Sequence, residues 1–459
     1  MAKRYDAIII GTGQAGPPLA EKLAGVGRSV AIIERSRFGG TCVNYGCTPT
    51  KTLIASARVA HMARRAAEFG VELSGPVRVD MAKVKERKDA IAGQSEAGVE
   101  AWVRGLAKGA VYRGHATLVD RNHVRVGDDI LEAGEIFINV GARAATPSIP
   151  GLAESPYLTN GTILDLESVP DHLIVLGGGY VGIEFAQMFR RFGSRVTIID
   201  RARLMAKEDE DVSQGIEEIF SSEGIEVVSG ADVRAVAKKG DGVAATVLNG
   251  GREREIAGTH LLVALGRKPN TDDLGLQTAD IEVDEMGFIT VDERLRTSAP
   301  GIYAMGDCNG RGAFTHTAYN DHEILAANLL ENEDRQISDR LPIYAAFIDP
   351  PFARLGMNES EIREDGRRAL VAHLPMAKVA RARERSETAG FMKIFLDADT
   401  EQVLGASLLG IRADEVVHLL AGLMYAGAPY TVLRRAVHIH PTVSELVLTM
   451  LGRPQPLEE

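Results

Sequence analysis

Cysteine is scarce: three among 459 residues, which excludes the cystine framework of a small secreted domain. An excess of positive charge is also missing, since the formal net charge is −11. Nucleic-acid binding needs a basic face, and no long basic run occurs, so no nucleic-acid partner is expected. The N-terminal residues lack a signal-peptide core, because the apolar run 7–10 leads straight into a glycine motif. One stretch, 416–433, contains no Asp, Glu, Lys or Arg, but His418, Gly427 and Pro429 interrupt it. It only just meets the length of a membrane span, and a buried helix followed by a turn is expected there. No low-complexity segment is present. The expectation is a protein of the reducing cytoplasm with no membrane partner.

What remains is ordinary in bulk and distinctive in pattern. Hydrophobic residues make up 45% and charged residues 25%, as in soluble globular proteins. The length exceeds a single core, so two to four domains are expected. Glycines, 48 in all, mark an internal echo. The apolar run 5–10 leads to Gly11-Thr12-Gly13-Gln14-Ala15-Gly16, a helical pattern, and a second run ending at Glu34. Downstream, the run 173–176 leads to Gly177-Gly178-Gly179-Tyr180-Val181-Gly182, another helical pattern, and a run ending at Asp200. First glycine to acid is 23 residues in both copies. Such a unit binds a dinucleotide: Gly11 and Gly177 permit the tight turn, Gly13 and Gly179 admit phosphate, and Gly16 and Gly182 let helix and strand pack. The helix start presents free N–H groups to the pyrophosphate, and Glu34 or Asp200 accepts from a ribose. Pro17 and Pro18 are tolerated in the first helical turn.

Coarse periodicity predicts helices over 55–69, 84–106, 318–330 and 415–425. It predicts strands over 135–140, 261–265, 302–305, 389–396 and 402–409. The proline-bearing segment 146–156 reads as a crossing between domains, and the charged run 331–340 as a linker.

The thiols stand in Gly39-Gly40-Thr41-Cys42-Val43-Asn44-Tyr45-Gly46-Cys47-Thr48-Pro49-Thr50-Lys51. Five residues of helix advance about 7.5 Å, beyond the roughly 7 Å that a disulfide spans between Cα atoms. A bridge therefore needs an irregular turn, for which Gly46 is suited. The other readings are two small core residues, or a zinc site for which no second Cys or His pair stands nearby.

With these motifs, Gly306-Asp307 and His438-Ile439-His440-Pro441-Thr442-Val443-Ser444-Glu445, the chain resembles the class I flavoprotein disulfide reductases. That family includes dihydrolipoamide dehydrogenase, glutathione reductase and mercuric reductase, and the resemblance runs over essentially the whole chain. It implies an α/β fold of two Rossmann-like dinucleotide-binding domains and a C-terminal α+β dimerisation domain. The FAD domain is expected over 1–145 and 268–338, the NAD(P) domain over 146–267, and the dimerisation domain over 340–459. It implies that Cys42 and Cys47 form a redox-active disulfide, with Cys47 next to the flavin and Cys42 meeting substrate. Gly40, Thr41, Gly141, Asp307 and Gly266 join the cofactor contacts, and Lys51 sits by the flavin, paired with Glu184. Tyr180 matches the aromatic gate over the flavin. His440 and Glu445 match an acid–base pair that enters from the other subunit of a homodimer, which suits thiol exchange because a proton must move at each sulfur. His438 and Cys308 are read as structural.

Departures sharpen the reading. The C-terminal stretch 452–459 has no cysteine, unlike mercuric reductases proper and high-molecular-weight thioredoxin reductases. Tyr45 and Thr48 stand where dihydrolipoamide dehydrogenases carry aliphatic residues. Asp200 favours NADH over NADPH by repelling a 2′-phosphate, while Arg201 and Arg203 speak for NADPH. The expected activity is electron transfer from nicotinamide through FAD to a disulfide or dithiol substrate, with no resident metal. The alternatives are a soft-metal-ion reductase and a redox-sensing flavoprotein.

Overall fold

The computed structural model describes residues 1–457. Both glycine units fold as expected. The strands Ala7–Ile10 and Val30–Glu34 pair in parallel around the helix Gly16–Gly25. They lie within a five-stranded parallel sheet ordered Ile302–Ala304, Glu135–Ile138, Ala7–Ile10, Val30–Glu34, Gly109–Arg113. Ala7, Ile8 and Ile9 are fully buried, as a parallel sheet covered on both faces requires. The second unit builds a four-stranded parallel sheet, Glu226–Val228, Arg195–Ile199, His172–Leu176, His260–Val263, with the helix Tyr180–Phe192. The chain passes between the two units on the antiparallel ribbon Ala142–Ala144 with Arg267–Pro269.

The C-terminal part is a six-stranded antiparallel sheet, ordered Ile343–Ala346, Phe352–Gly356, Val403–Leu409, Phe391–Asp397, Ala369–Pro375, Gln455–Pro456. The helix Ala413–Tyr425 covers one face through Val416, Val417 and Leu420. Among the described residues no helix is long and apolar enough to cross a membrane. The stretch 416–433 is instead most of that helix, a turn at Gly427, and the start of the short helix Thr431–Arg435.

Several boundaries differ from the periodicity. The helix expected over 55–69 begins at Cys47 and ends at Arg64, with a 3-10 turn Ala66–Phe69 beyond it. The helix expected over 84–106 starts at Met81, where Asp80 caps it by accepting from the Lys83 N–H at 3.2 Å. The helix expected over 318–330 starts at Thr315. The charged run 331–340 is no free linker: Ile337 is buried, and Arg340 pairs at 2.6 Å with Asp321. Two small sheets had no counterpart in the pattern. One, antiparallel, joins Ala231–Lys239, Gly242–Asn249 and Arg252–Gly258; the other, mixed, joins Lys3–Arg4 in parallel to Asp129–Glu132, which continues antiparallel through His123–Val126 to Ala116–Leu118.

The glycines of the second unit have separable roles. A Cβ on Gly182 would lie 1.9 Å from the Gly177 carbonyl oxygen, whereas a Cβ on Gly179 meets nothing within 4 Å. Gly182→Ala is therefore expected to destabilise by about 1–3 kcal/mol through overpacking, despite alanine's better helix propensity. Gly179→Ala should lose at most about 1 kcal/mol as a poorer N-cap, yet weaken nicotinamide binding. Urea denaturation midpoints and nucleotide titration check both.

Candidate active site

The cysteines are delivered by a broken helix. Gly39 and Gly40 take φ of +91° and +62°, and a short helix Gly40–Asn44 carries Cys42. The chain leaves it at Tyr45 and Gly46, and the long helix begins at Cys47. Gly46 suits this turn, because a Cβ would lie only 3.0 Å from the Thr41 carbonyl oxygen. This break supplies the irregular turn that an unbroken helix lacks. Both cysteines are free thiols in this structure, the dithiol form of the expected pair.

The thiols are chemically unequal. Cys42 donates a hydrogen bond to Cys47, and this lowers Cys47 to about 6; burial opposes the shift, while Thr315 and Lys51 add to it. Thr315 Oγ1 lies 3.2 Å from Cys47 Sγ. The same bond, together with burial, pushes the Cys42 thiol up. Cys47 also opens the helix Cys47–Arg64, where the dipole favours a thiolate.

One helical turn below Cys47, Lys51 Nζ donates to both carboxylate oxygens of Glu184, at 2.8 and 3.0 Å, and lies 4.6 Å from the Phe347 ring centroid. Glu184 is buried and also accepts from the Phe347 N–H at 2.8 Å. A buried carboxylate so held is expensive to strand. Tyr180, at the start of the Glu184 helix, packs against Phe314 with ring centroids 5.3 Å apart, and burial raises its phenol pKa. Phe314 in turn stacks on Tyr344 at 5.2 Å.

Cys42, Cys47, Lys51, Tyr180 and Glu184 open on one cleft of about 1020 Å³. The same cleft is lined by Gly11, Gly13, Glu34, Gly40, Thr41, Gly141 and Asp307. Gly16 packs beneath it, with a Cβ there meeting the Gly11 carbonyl oxygen at 2.5 Å. Its donors fit a dinucleotide. Asn139 Nδ2 is buried without a partner beside Gly13, at 3.2 Å from where a Cβ would stand. Asp307 is held by Arg267 at 3.0 Å, and burial raises its carboxyl pKa against that guanidinium. The volume lies at the upper end for ligand pockets, as a ligand as large as FAD requires.

The two acids have a task that the spacing did not reveal. Glu34 accepts from the Thr12 N–H at 3.0 Å, and Asp200 from the Gly178 N–H at 2.6 Å. Each strand-end carboxylate thus caps the residue after the first glycine of its own unit. Asp200 also accepts from the Ala202 N–H at 2.7 Å. The second unit, with Gly177, Gly179, Gly182, Asp200 and Gly266 (φ +114°), surrounds a separate glycine turn beside the Glu184 helix.

His440 and Glu445 meet each other, Nδ1 to carboxylate at 3.0 Å, but the structure does not bring them to the thiols of their own chain. Neither lines the large cleft, and the His440 side chain is 73% exposed. Sequence reasoning missed Thr315, Asn139, Arg267 and Phe314. Thr315 and Phe314 carry no motif signal; Arg267 directly follows Gly266, and Asn139 lies within the strand expected over 135–140, just past the observed strand Glu135–Ile138, so both were adjacent to a signal. Cys308 is fully buried, in keeping with a structural role.

Comparison with known proteins agrees with this geometry. Residues 5–321 match the model of the pyridine nucleotide-disulphide oxidoreductases, and residues 343–451 match the dimerisation domain of the same enzymes. The chain is 37% identical to the probable pyridine nucleotide-disulfide oxidoreductase RclA of Escherichia coli, over 96% of this chain and 97% of that one. It is 34% identical to a mercuric reductase of Streptomyces lividans (96% and 94% covered) and 30% identical to a dihydrolipoyl dehydrogenase of Geobacillus stearothermophilus (98% and 97%). A solved structure described as the HOCl-induced flavoprotein disulfide reductase RclA from Escherichia coli superposes with a TM-score of 0.89 at 35% identity, covering 98% of this chain and 99% of that one. The chain belongs to the pyridine nucleotide-disulphide oxidoreductase family and is an FAD-dependent NAD(P)H:disulfide oxidoreductase.

Proposed function

We propose that the enzyme works as an NADH-driven homodimer whose electrons leave through Cys47 and then Cys42 to a disulfide substrate. The observation that carries this reading is the unequal thiol pair above the Lys51–Glu184 bridge. The flavin domain comprises 1–145 and 268–338, the nicotinamide domain 146–267, and the dimerisation domain 340–459. Gly11, Gly13, Gly16, Glu34, Gly40, Thr41, Lys51, Gly141 and Asp307 hold FAD. Gly177, Gly179, Gly182, Asp200 and Gly266 hold the nicotinamide, with Tyr180 as the gate between the two. FAD, when bound, supplies the two-electron link from nicotinamide to the thiol pair.

From the dithiol, the thiol chemistry balances on the protein alone. His440 of the partner subunit, oriented by its Glu445, removes the Cys42 proton. Cys42 Sγ attacks one sulfur of the substrate disulfide, and the departing thiolate takes that proton back from the imidazolium. Cys47, already a thiolate, displaces the second substrate sulfur and closes the Cys42–Cys47 bond. The products are one thiol, one thiolate and one protein disulfide. Exposed apolar side chains beside the histidine segment, Val437 at 100% and Ile439 at 80% exposure, suit burial against a second copy. NADH is favoured because Asp200, anchored by the Gly178 and Ala202 N–H groups, stands at the strand end where a 2′-phosphate would be repelled, while Arg203 is engaged by Ser213 Oγ at 3.0 Å and the Glu208 carbonyl at 2.6 Å.

A second reading, reduction of a soft metal ion as substrate, is favoured by the open thiolate–thiol pair and by a related structure described as the Cu(II) complex of RclA. Among the described residues no group of three or more His, Cys, Asp or Glu is placed to hold a metal, so within one subunit the ion has only the two sulfurs to bind.

Steady-state assays with NADH and NADPH against lipoamide, glutathione disulfide and Hg(II) separate the two readings. Cys47→Ser is expected to keep FAD bound and abolish disulfide turnover; surviving turnover would refute the thiol route. His440→Ala should slow thiol exchange about 10²–10⁴-fold while leaving nicotinamide-driven flavin reduction unchanged in stopped flow, and equal slowing of both contradicts the proton role. In the reduced protein, thiolate absorbance should titrate with a midpoint near pH 6. Below it Cys47 protonates and exchange falls; Cys42→Ala, lacking the donor, should move that midpoint upward. Asp200→Ala should relax preference for NADH, measured as the ratio of kcat/KM values for the two nucleotides.

A further inference from the structure

A second cavity, of about 480 Å³, opens on the dimerisation module. Its wall includes Arg381, Arg385, Arg412, Glu415, His438 and Thr442. Three guanidinium groups against one carboxylate is an unusual lining in a chain of net charge −11. Their donors are mostly unspent. Arg381 uses one N–H on Glu384 at 2.9 Å, and Arg385 one on Glu387 at 3.2 Å, out of the five that each guanidinium carries. The Arg412 side chain has no hydrogen bond or ion pair among the described residues. It stands at φ +64° before the helix Ala413–Tyr425, a left-handed conformation that side chains other than glycine adopt at a cost. His438 Nε2 is enclosed and has no hydrogen-bond partner.

We propose that this cavity binds a carboxylate of the disulfide substrate, so that the enzyme selects anionic disulfides over neutral ones. The inference rests on the reading of His440 as the proton carrier. His438, Pro441, Thr442, Val443 and Ser444 all line the cavity, and they flank His440 on both sides. Wherever His440 meets the scissile sulfur, the cavity travels with it, whichever subunit supplies the thiols. Two residues of extended chain span about 7 Å, which sets the distance from sulfur to carboxylate at which a substrate reaches both. Glu415 lines this cavity and the thiol cleft alike, so the two spaces share a wall. Planar guanidinium forks match a carboxylate with paired N–H···O bonds, the geometry that favours arginine for this task.

Oxidised lipoic acid and lipoamide carry the same cyclic disulfide and differ in the charge at the far end. With the FAD-loaded enzyme, Arg412→Ala is expected to raise KM for lipoic acid roughly tenfold, leaving its kcat and both constants for lipoamide unchanged. Arg412→Lys should recover part of the loss. Equal effects on the two substrates, or none on either, overturn the proposal while leaving the disulfide reductase reading intact. Calorimetric titration with octanoate, which has a carboxylate and no disulfide, reads the cavity without turnover. Weaker octanoate binding to Arg412→Ala than to the unaltered enzyme supports the proposal, and identical binding or none to either protein sinks it. Should neither disulfide be reduced, the reading of the thiol site fails, and the octanoate comparison still decides the cavity.

Discussion

The ion pair between Lys51 and Glu184 is the constraint around which the site is arranged. Glu184 is 4% exposed, and a carboxylate that deep is tolerated only with a cation and hydrogen bonds around it. Lys51 comes from the helix of the thiols, Glu184 from the helix of the second glycine unit, and the Phe347 N–H from the start of the C-terminal sheet. Three modules therefore converge on one side chain. Moving any of them strands a buried charge, so the thiols, Tyr180 and the second glycine unit keep a fixed mutual geometry.

A second junction reinforces the first on the far side of the same helices. Arg191 binds Glu223 at 2.7 Å and Asp349 at 2.5 Å, and Arg58 binds Asp349 at 2.6 Å. Gln187 closes the set by donating to the Asp349 carbonyl at 2.7 Å. Around these polar contacts the apolar core is shared: Leu53, Ile183, Phe185, Phe352 and Leu409 belong to one cluster although they come from three modules. An interface that combines a common core with satisfied buried charges resists domain rotation more than a polar contact alone does. Tyr180 and its neighbour Phe314 pack together and line the same cleft as the thiols.

The asymmetry of the thiols follows from where the chain breaks. Cys47 opens a long helix and gathers the Cys42 thiol, the Thr315 hydroxyl and the Lys51 ammonium, all of which favour negative charge. Cys42 sits one short helix earlier and donates. One sulfur is thus ready as a leaving group or nucleophile toward its neighbour, and the other stays protonated until a base arrives. The exposed His440–Glu445 pair does not reach the thiols of its own chain.

The sequence by itself determined the dinucleotide units, because a tight turn, a close phosphate and a packed helix each demand glycine at one position and nothing else fits. The thiol motif also showed that a bridge between Cys42 and Cys47 needs an irregular turn, for which Gly46 is suited, whereas the pairing of Lys51 with Glu184 was implied only by the family resemblance. Only the tertiary structure decided the partners that come from distant segments. Thr315 beside Cys47, Asn139 beneath Gly13 and Arg267 on Asp307 are ordinary polar residues until the fold brings them to a buried donor or acceptor. The same holds for the acids: the 23-residue spacing singled out Glu34 and Asp200, and the strand ends also place them on the Thr12 and Gly178 N–H groups. The two small sheets and the arginine cavity were illegible for a related reason, because half-exposed strands and scattered arginines carry no periodic signature before they are folded together.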